Sequence, residues 1–407
     1  MKNGRDMVPN NTCTQIKITV FRSLDEVEAI RPIWEKMKCR PNADIDFYLT
    51  VMQSLPNVIR PHVILLRNRE GASSLAVGRI ERHRFTCDFG YKTVYSTMLR
   101  SFSLIHGGVL GNPSYEESRL LVKEIMNVLR RGEVDIVFLS NLNTESYVYQ
   151  LATSIPRIFC RDIVPVVRPH WTMTIPDNIE DLFSRLSTKA RHELRRYPRA
   201  LEKQYPGKIS YRVFSAIEDI DDLFTHAEEV AGKTYHRGLN VGFVDSPAER
   251  EILGLFARKG WLRAYMLYVD KHPSAFWIGR RYGETFYPGY TDYDPAYKKY
   301  ELGTILFIKM IESLCEEKDV RLLDFGFGDA FYKNRFGDGK WLESSIYVFP
   351  FSLSGLSLNF AHTLTSLVYQ VSVKSLQHFK LLEKVKKVWR SRFIKKKEVT
   401  PPADEQT

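Results

Sequence analysis

The chain has 407 residues, 44% of them hydrophobic and 26% charged, with a formal net charge of +11. That length accommodates two domains with separate cores, and the composition excludes a low-complexity or disordered chain. A membrane span needs roughly 18 uninterrupted apolar residues; the most apolar stretch, residues 345–379, is broken by Asn359, His362, Lys374 and several serines, so none is expected.

Residues 1–14 carry no apolar core of a signal peptide and are expected to be a flexible N-terminus. Lys17 to Phe21 reads as a strand and Leu24 to Lys38 as a helix. A hairpin follows, with Val63 to Arg67 and Ser74 to Glu81 flanking a turn at Asn68 to Gly71. The segment EESRLLVKEIMNVLRRG then has helical spacing, and VDIVFLSNL is a strand. The second half repeats this rhythm. Tyr211 to Phe214 is a strand and Ile220 to Thr234 a helix; RAYMLYV and SAFWIGRR form a hairpin around Asp270 to Pro273. GETFYPGYTDYD, the helix ELGTILFIKMIESLCEEK and the strand VRLLDFGFG complete it. A shift of 186 residues places Val134 on Val320, Leu120 on Leu306 and Leu129 on Cys315 without a gap, while Gly78-Arg79 matches Gly279-Arg280 in the hairpins. An internal duplication is expected.

The aligned late helices differ at their starts. The second opens YKKYELGTIL, with Lys298 and Lys299 before Leu302, Gly303 and Thr304; the first has Glu116 and Glu117, the latter in the place of Gly303. Glycine at a helix N-terminus lets a phosphate approach unpaired amides, whereas two carboxylates would repel it. A phosphate-bearing ligand therefore belongs to the second half.

Asp324-Phe325-Gly326 has the form of a kinase magnesium motif, but the context refuses it. There is no His-Arg-Asp in the chain, Phe331 breaks a glycine-rich loop after Gly326, and too little chain follows for a kinase lobe. The five cysteines, Cys13, Cys39, Cys87, Cys160 and Cys315, form no disulfide or zinc pattern. They read as reduced thiols of a cytoplasmic protein, and no metal is expected. Lys380 to Glu398 holds nine Lys or Arg against two Glu. Most of the excess charge thus lies in one basic, amphipathic helical tail, which argues against nucleic acid as a partner. The tail is a candidate for an anionic membrane surface, such as the inner face of the plasma membrane, as well as for a solvated terminal helix.

Taken together, RHELRRYPRALEK, KTYHRGL with GFVDS, GYTDYDPAY, ELGTIL and DFGFGDAFYKNRFG resemble the FemAB-like branch of the GNAT acyltransferases, and within it the CelD/BcsL-type acetyltransferases of cellulose and exopolysaccharide biosynthesis. The resemblance runs from about Ile16 to Phe351. It implies an α/β (α+β) chain with two tandem GNAT-like domains, each a mixed central sheet flanked by helices: residues 15–175, expected to be degenerate, and 176–352, the acyltransferase. Residues 353–398 would be the helical tail and 399–407 a disordered terminus. The implied activity is N-acyl transfer, from acetyl-CoA or another acyl-CoA as co-substrate, to an amine. The acceptor would be an amino sugar or a nucleotide- or lipid-linked intermediate of polysaccharide or cell-envelope synthesis. The alternatives are an aminoacyl-tRNA-dependent FemAB-like peptidoglycan-precursor transferase, the one case in which nucleic acid is a partner, and a non-catalytic membrane-associated scaffold. Glu301-Leu302-Gly303 departs from the Ser-Pro-Gly of many members, keeping the glycine and losing the proline.

Such chemistry needs a base for the amine, donors for the oxyanion and an acid for the leaving thiolate. The backbones of Phe276 to Gly279 or Phe286 to Gly289 are candidate donors. Asp292, Asp294 or Asp329 could accept the proton, and Tyr332, Tyr290 or Tyr300 could supply one. Lys333 is the strongest single candidate, for a phosphate or the oxyanion, or else as a partner of Asp329 four residues earlier. The donor is expected at Lys298, Lys299, Leu302, Gly303, Thr304 and Ile278. Arg191, Arg195 and Arg199 share one helix face unless Pro198 kinks it, and would suit a phosphate-bearing acceptor. Tyr235, His236, Trp277 and Tyr290 resemble aromatic positions of the acceptor cleft.

Overall fold

In the computed structural model, residues 16–378 are described, apart from 70, 91, 235, 236 and 238–241. Tyr235, His236, Cys13 and the basic segment 380–398 therefore lie outside the described residues. Two-residue alternation over the hairpins and helical periodicity between them build a mixed α/β chain around one twelve-stranded sheet.

The first half opens with β1 (Lys17–Phe21) and two short helices, α1 (Leu24–Ala29) and α2 (Arg31–Trp34). A single helix was expected there. Pro32, tolerated only in a first helical turn, begins a new helix instead. After α3 (Ile45–Ser54), the strands β2 (Val58–Asn68), β3 (Gly71–Phe89) and β4 (Lys92–Leu110) run antiparallel; α4 (Tyr115–Arg130) then crosses over to β5 (Ile136–Asn143), parallel to β4. Next come α5 (Tyr147–Ala152), β6 (Val167–Thr174), α6 (Ile179–Ser184) and α7 (Thr188–Gln204). The second half repeats the plan: β7 (Ile209–Phe214), α8 (Ile220–Gly232), α9 (Pro247–Arg258), β8 (Leu262–Val269), β9 (His272–Tyr282), β10 (Thr285–Tyr293), α10 (Leu302–Glu316) and β11 (Leu322–Phe327), parallel to β10. The chain continues through α11 (Phe331–Phe336), β12 (Gly339–Val348) and α12 (Leu353–His378).

The strand order is β1-β2-β3-β4-β5-β12-β6-β11-β10-β9-β8-β7. The late strand β12 is thus inserted between β5 and β6, and β6 bonds to β11. The two halves exchange strands along a seam. Each half has apolar packing on both sheet faces. In the second, α6, α7 and α10 cover one face, with Leu194, Leu306 and Met310 in the core, and α8 and α9 cover the other, with Phe224, Phe256 and Phe276.

The duplication has an atomic signature. A Cβ at Gly78 would stand 2.5 Å from Cζ of Phe102, and one at Gly279 would stand 2.5 Å from Cζ of Phe286. Phe102 pairs with Val137 and Phe286 with Leu323, which are 186 residues apart. Both halves thus need glycine where a phenylalanine ring of the next strand crosses.

Candidate active site

In the second half, β10 and β11 pair only at Thr285–Leu322 and Phe286–Leu323. Beyond Phe286, among the described residues, β10 and β11 pair no further, while the other edge of β10 stays bonded to β9 with a bulge between Pro288 and Tyr290. The two parallel strands splay, and Phe286 to Gly289 is the stretch at the fork. Of the two backbones predicted as oxyanion donors it is the one with an open edge; Phe276 to Gly279 lies on β9, between β8 and β10.

The N-terminus of α10 is left open. Its N-cap, Glu301, is held in the left-handed region at φ 57° and makes no side-chain cap. The amides of Leu302 and Gly303 precede the first intrahelical bonds, which Thr304 and Ile305 make to the Glu301 carbonyl. The nearest atom to a Cβ on Gly303 would be Cδ1 of Tyr293, at 3.6 Å. In the first half the same terminus is closed: Ser114 and Glu117 form a capping box, each side chain accepting from the other's backbone amide. At the shift of 186 residues Glu117, the third residue of α4, aligns with Gly303, the second of α10.

Trp277 donates from Nε1 to the Gly303 carbonyl at 3.2 Å, tying β9 to the start of α10. Tyr332 packs against Trp277, Phe307 and Phe325, with ring centroids 5.8, 6.3 and 5.6 Å away. Burial raises its phenol pKa to about 12, so the phenol is protonated at neutral pH. Trp277, Gly303 and Tyr332 therefore converge on the α10 face. Leu302 is fully buried there, anchoring the helix start, and Thr304 is half-buried. Lys298 and Lys299, in a 3-10 turn at Pro295–Tyr300, are exposed, and the Lys299 ammonium lies 4.7 Å from the Tyr300 ring centroid.

Lys333 is buried, and its Nζ donates to the carbonyls of Gly326 (3.2 Å) and Phe327 (2.9 Å). It straps the turn after β11, where Gly326 and Gly328 take positive φ of 73° and 93°. Burial pulls its pKa down, while Asp324 and Asp329 oppose that pull. Asp329 is exposed and accepts from Nε1 of Trp171 at 3.1 Å. It borders an 800 Å³ surface cavity between α7 and α11.

Other predicted residues lie on the opposite face of the sheet, beneath α8 and α9. Ile278 is buried in that core. Tyr290 donates to Oε2 of Glu249 at 3.1 Å, and Asp292 is buried and accepts from Thr234 Oγ1 at 3.3 Å. Asp294 accepts from the Ala296 amide and pairs with Lys233 at 3.1 Å, which accounts for its burial. Tyr300, also a proton-donor candidate, is buried in the α10 core. Arg191, Arg195 and Arg199 remain on one face, because α7 continues through Pro198. With Thr188 and Lys203 they line a groove of about 570 Å³, in which Arg195 pairs with Glu180 at 2.8 Å.

Residues 188–334 match the family described as acetyltransferase (GNAT) domain. That match supports an acyltransferase, and its span contains β10, α10 and the Tyr332-Lys333 turn. No curated protein matches the chain. Among solved structures, a crystal structure of FemX is similar over 80% of this chain and 96% of its own, with 9% identity and a TM-score of 0.52. A tandem GNAT protein from the clavulanic acid biosynthesis pathway aligns over 83% of this chain and all of its own, with 10% identity and a TM-score of 0.46. The C-terminal domain of a putative lysylphosphatidylglycerol synthetase from Agrobacterium fabrum covers 86% of this chain and 96% of its own, with 10% identity and a TM-score of 0.47. At these identities the FemX likeness speaks for the fold alone.

Proposed function

We propose that the chain is an N-acyltransferase that takes its acyl group from acetyl-CoA or a related acyl-CoA bound at the fork of β10 and β11. The observation that carries this reading is the uncapped, glycine-bearing start of α10 beside the open edge of β10, set against the capping box that closes the equivalent helix of the first half. Amides at a helix N-terminus suit a pyrophosphate. An unpartnered strand edge suits an extended amide chain and offers N–H groups to a thioester carbonyl. Oxyanion donors of this kind are worth about 2.7–4 kcal/mol each.

In the transfer, the acceptor nitrogen attacks the thioester carbon, the C–S bond breaks, and a thiol is released. Tyr332, protonated and beside the fork, is placed to give its proton to the leaving sulfur. Asp329, exposed at the turn, is the carboxylate on the solvent side for the proton of the amine. Lys333 acts on both by holding the turn between β11 and α11, a positioning role. The first half, with its helix start closed by Glu117, has no equivalent donor site in this reading. The acceptor is proposed to carry a phosphate, as a nucleotide- or lipid-linked amino sugar does, because the groove of Arg191, Arg195 and Arg199 gathers three guanidinium groups on one helix face. Mass spectrometry of the protein with acetyl-CoA and a panel of amines, with thiol release as second readout, tests the reading. Acylated amino sugar with stoichiometric thiol supports it; no thiol release with any amine refutes it, and product formed only from aminoacyl-tRNA selects the tRNA-dependent alternative.

Membrane attachment has its own supporting observation. Among the described residues, no helix is long and apolar enough to cross a membrane. Yet Phe360, Leu364, Leu367, Val368 and Val371 of α12 are all exposed at helical spacing, and the opposite side docks through Asn359, which donates to the carbonyls of Phe159 and Arg161. The basic segment 380–398 follows this stripe in sequence. Liposomes containing anionic lipid are expected to float the full chain and not a chain ending at Gln377; equal flotation refutes the attachment.

A further inference from the structure

At the seam where the halves exchange strands, three side chains from distant parts of the chain meet below the sheet surface. His106 comes from β4, where the register with β3 jumps from Gly78–Leu104 to Ala76–Val109 and loops out residues 105–108. His170 is on β6, paired with Trp341 of β12, and Glu343 follows two residues later on β12. His170 and Glu343 are buried; His106 is partly exposed. One nitrogen of each histidine and one oxygen of Glu343 all lie within 4.8 Å of one another.

Two buried polar atoms at this point, His170 Nδ1 and Glu343 Oε2, have no hydrogen-bond partner among the described residues. Nε2 of His170 is 2.5 Å from Oδ1 of Asp324, and a carboxylate only accepts, so Nε2 carries the hydrogen. In the neutral tautomer Nδ1 is then a lone pair. It stands 3.0 Å from Oε2 of Glu343, another acceptor, and neither atom has a hydrogen bond of acceptable angle. The two approach closely without a hydrogen bond between them, a contact that either a proton on the ring or a cation between the two atoms relieves. Nε2 of His106 is likewise a lone pair, since the guanidinium of Arg40, 3.3 Å away, can only donate to it; that nitrogen lies 3.5 Å from the same Oε2. One nitrogen of each histidine and one oxygen of Glu343 thus cluster within reach of a single ion.

We propose that His106, His170 and Glu343 bind one divalent transition-metal ion, with zinc the ion that two imidazole nitrogens and one carboxylate oxygen suit best. Ligands about 2.0–2.2 Å from a tetrahedral zinc stand roughly 3.3–3.6 Å from one another; Oε2 of Glu343 is 3.0 and 3.5 Å from the two nitrogens, which lie within 4.8 Å of each other. The surroundings are those of a metal ligand set. Asp324 orients His170 from the far nitrogen, a carboxylate–histidine–metal relay. Trp341 stacks on the His170 ring, with centroids 4.1 Å apart and 15° between planes, and donates to Oε1 of Glu343 at 2.8 Å. That leaves Oε2 for the ion. Arg40, which also reaches Asp324 at 3.4 Å, would give up its contact with His106. A cavity of about 590 Å³, lined by Arg40, His106, Trp341 and Glu343, adjoins the site and leaves a fourth coordination position accessible. This site lies at the seam, with ligands from both halves, and it does not depend on the acyl-transfer reading.

The test uses the full chain, stripped with EDTA, re-equilibrated with zinc chloride, desalted and analysed by inductively coupled plasma mass spectrometry. One zinc per chain is expected for the wild type and none for His106→Ala or Glu343→Gln. Asp324→Asn, which removes the orienting carboxylate, is expected to weaken binding about 10–100-fold. Cobalt(II) substitution of the wild type, which needs no variant to fold, is expected to give visible d–d bands of a four-coordinate nitrogen and oxygen site without thiolate charge transfer. A wild type that retains no zinc overturns the proposal and leaves His170 as an imidazolium closed by a proton. Equal zinc in wild type and both variants, or a thiolate band from a cysteine, overturns it as well.

Discussion

Replacing Gly303 by glutamate separates the stability of α10 from its use as an anion site, because the two effects have opposite signs. The first half carries a glutamate, Glu117, in the first turn of the aligned helix α4. At Gly303 itself the side chain has room: the nearest atom to its Cβ, Tyr293 Cδ1, is at ordinary contact distance, 3.6 Å. Glycine to glutamate in a helix gains about 0.5 kcal/mol of propensity, and a carboxylate in the first turn adds about 0.3–1 kcal/mol. The free protein should therefore be more stable by about 1 kcal/mol, a rise in Tm of about 2 °C. A pyrophosphate at the same amides would meet that carboxylate at about 5 Å. With an effective dielectric constant near 20, each unit charge then costs about 3 kcal/mol, or more than a hundredfold in affinity. CoA at a hundred times its wild-type Kd stabilises the wild type by about 2.7 kcal/mol, so the variant should show almost no CoA-dependent shift. Differential scanning fluorimetry with and without CoA measures both effects at once. A Gly303→Glu protein that still shifts with CoA would refute the placement of the donor; one that melts earlier than wild type would refute the reading of the helix terminus.

Gly279→Ala should cost about 1–3 kcal/mol in urea unfolding through overpacking, and more than Gly78→Ala. Its Cβ would meet the rigid Tyr287 carbonyl oxygen at 2.7 Å as well as the Phe286 ring, whereas the nearest backbone atom at Gly78 is at 3.2 Å. Equal, negligible costs would refute the ring-crossing argument for both halves. Burial raises the pKa of Glu249 despite the bond from Tyr290 and the charge of Arg280. The native carboxyl thus holds its proton more tightly than the unfolded one, and ionising it costs stability as pH rises from about 4.5 through the folded value. Glu249→Gln keeps an acceptor for Tyr290 and should raise Tm at pH 7 but not at pH 4; a gain confined to acid pH contradicts this. Lys333→Met removes the donor to the part-buried carbonyls of Gly326 and Phe327 and should cost about 1–2 kcal/mol, with the CoA shift kept. Unchanged stability with lost turnover would instead put the ammonium in the chemistry.

Which features were legible in the sequence follows from the range of the interactions that make them. The helices and central strands of both halves answer to local periodicity, and the 186-residue shift that aligned two helices also aligns β5 with β11. The contrast between Gly303 and Glu117 was visible because a helix terminus is specified by the few residues around it. By contrast β4 escaped: Lys92 to Arg100 is mostly exposed, so no buried face imposes an alternation there. The split of Leu24 to Lys38 was open to a reader who weighed Pro32. The exchange of β6 and β12 had no local sign, because neither strand pairs with a sequence neighbour. Its consequence is the least legible feature of all. Asp324 was weighed as part of a tripeptide and read simply as strand, since nothing nearby in sequence explains a buried carboxylate. Its partner, His170, is 154 positions away, and His106 and Glu343 stand farther still from each other. Only the strand exchange brings them to one point, and a chemistry assembled by topology leaves no spacing pattern to find.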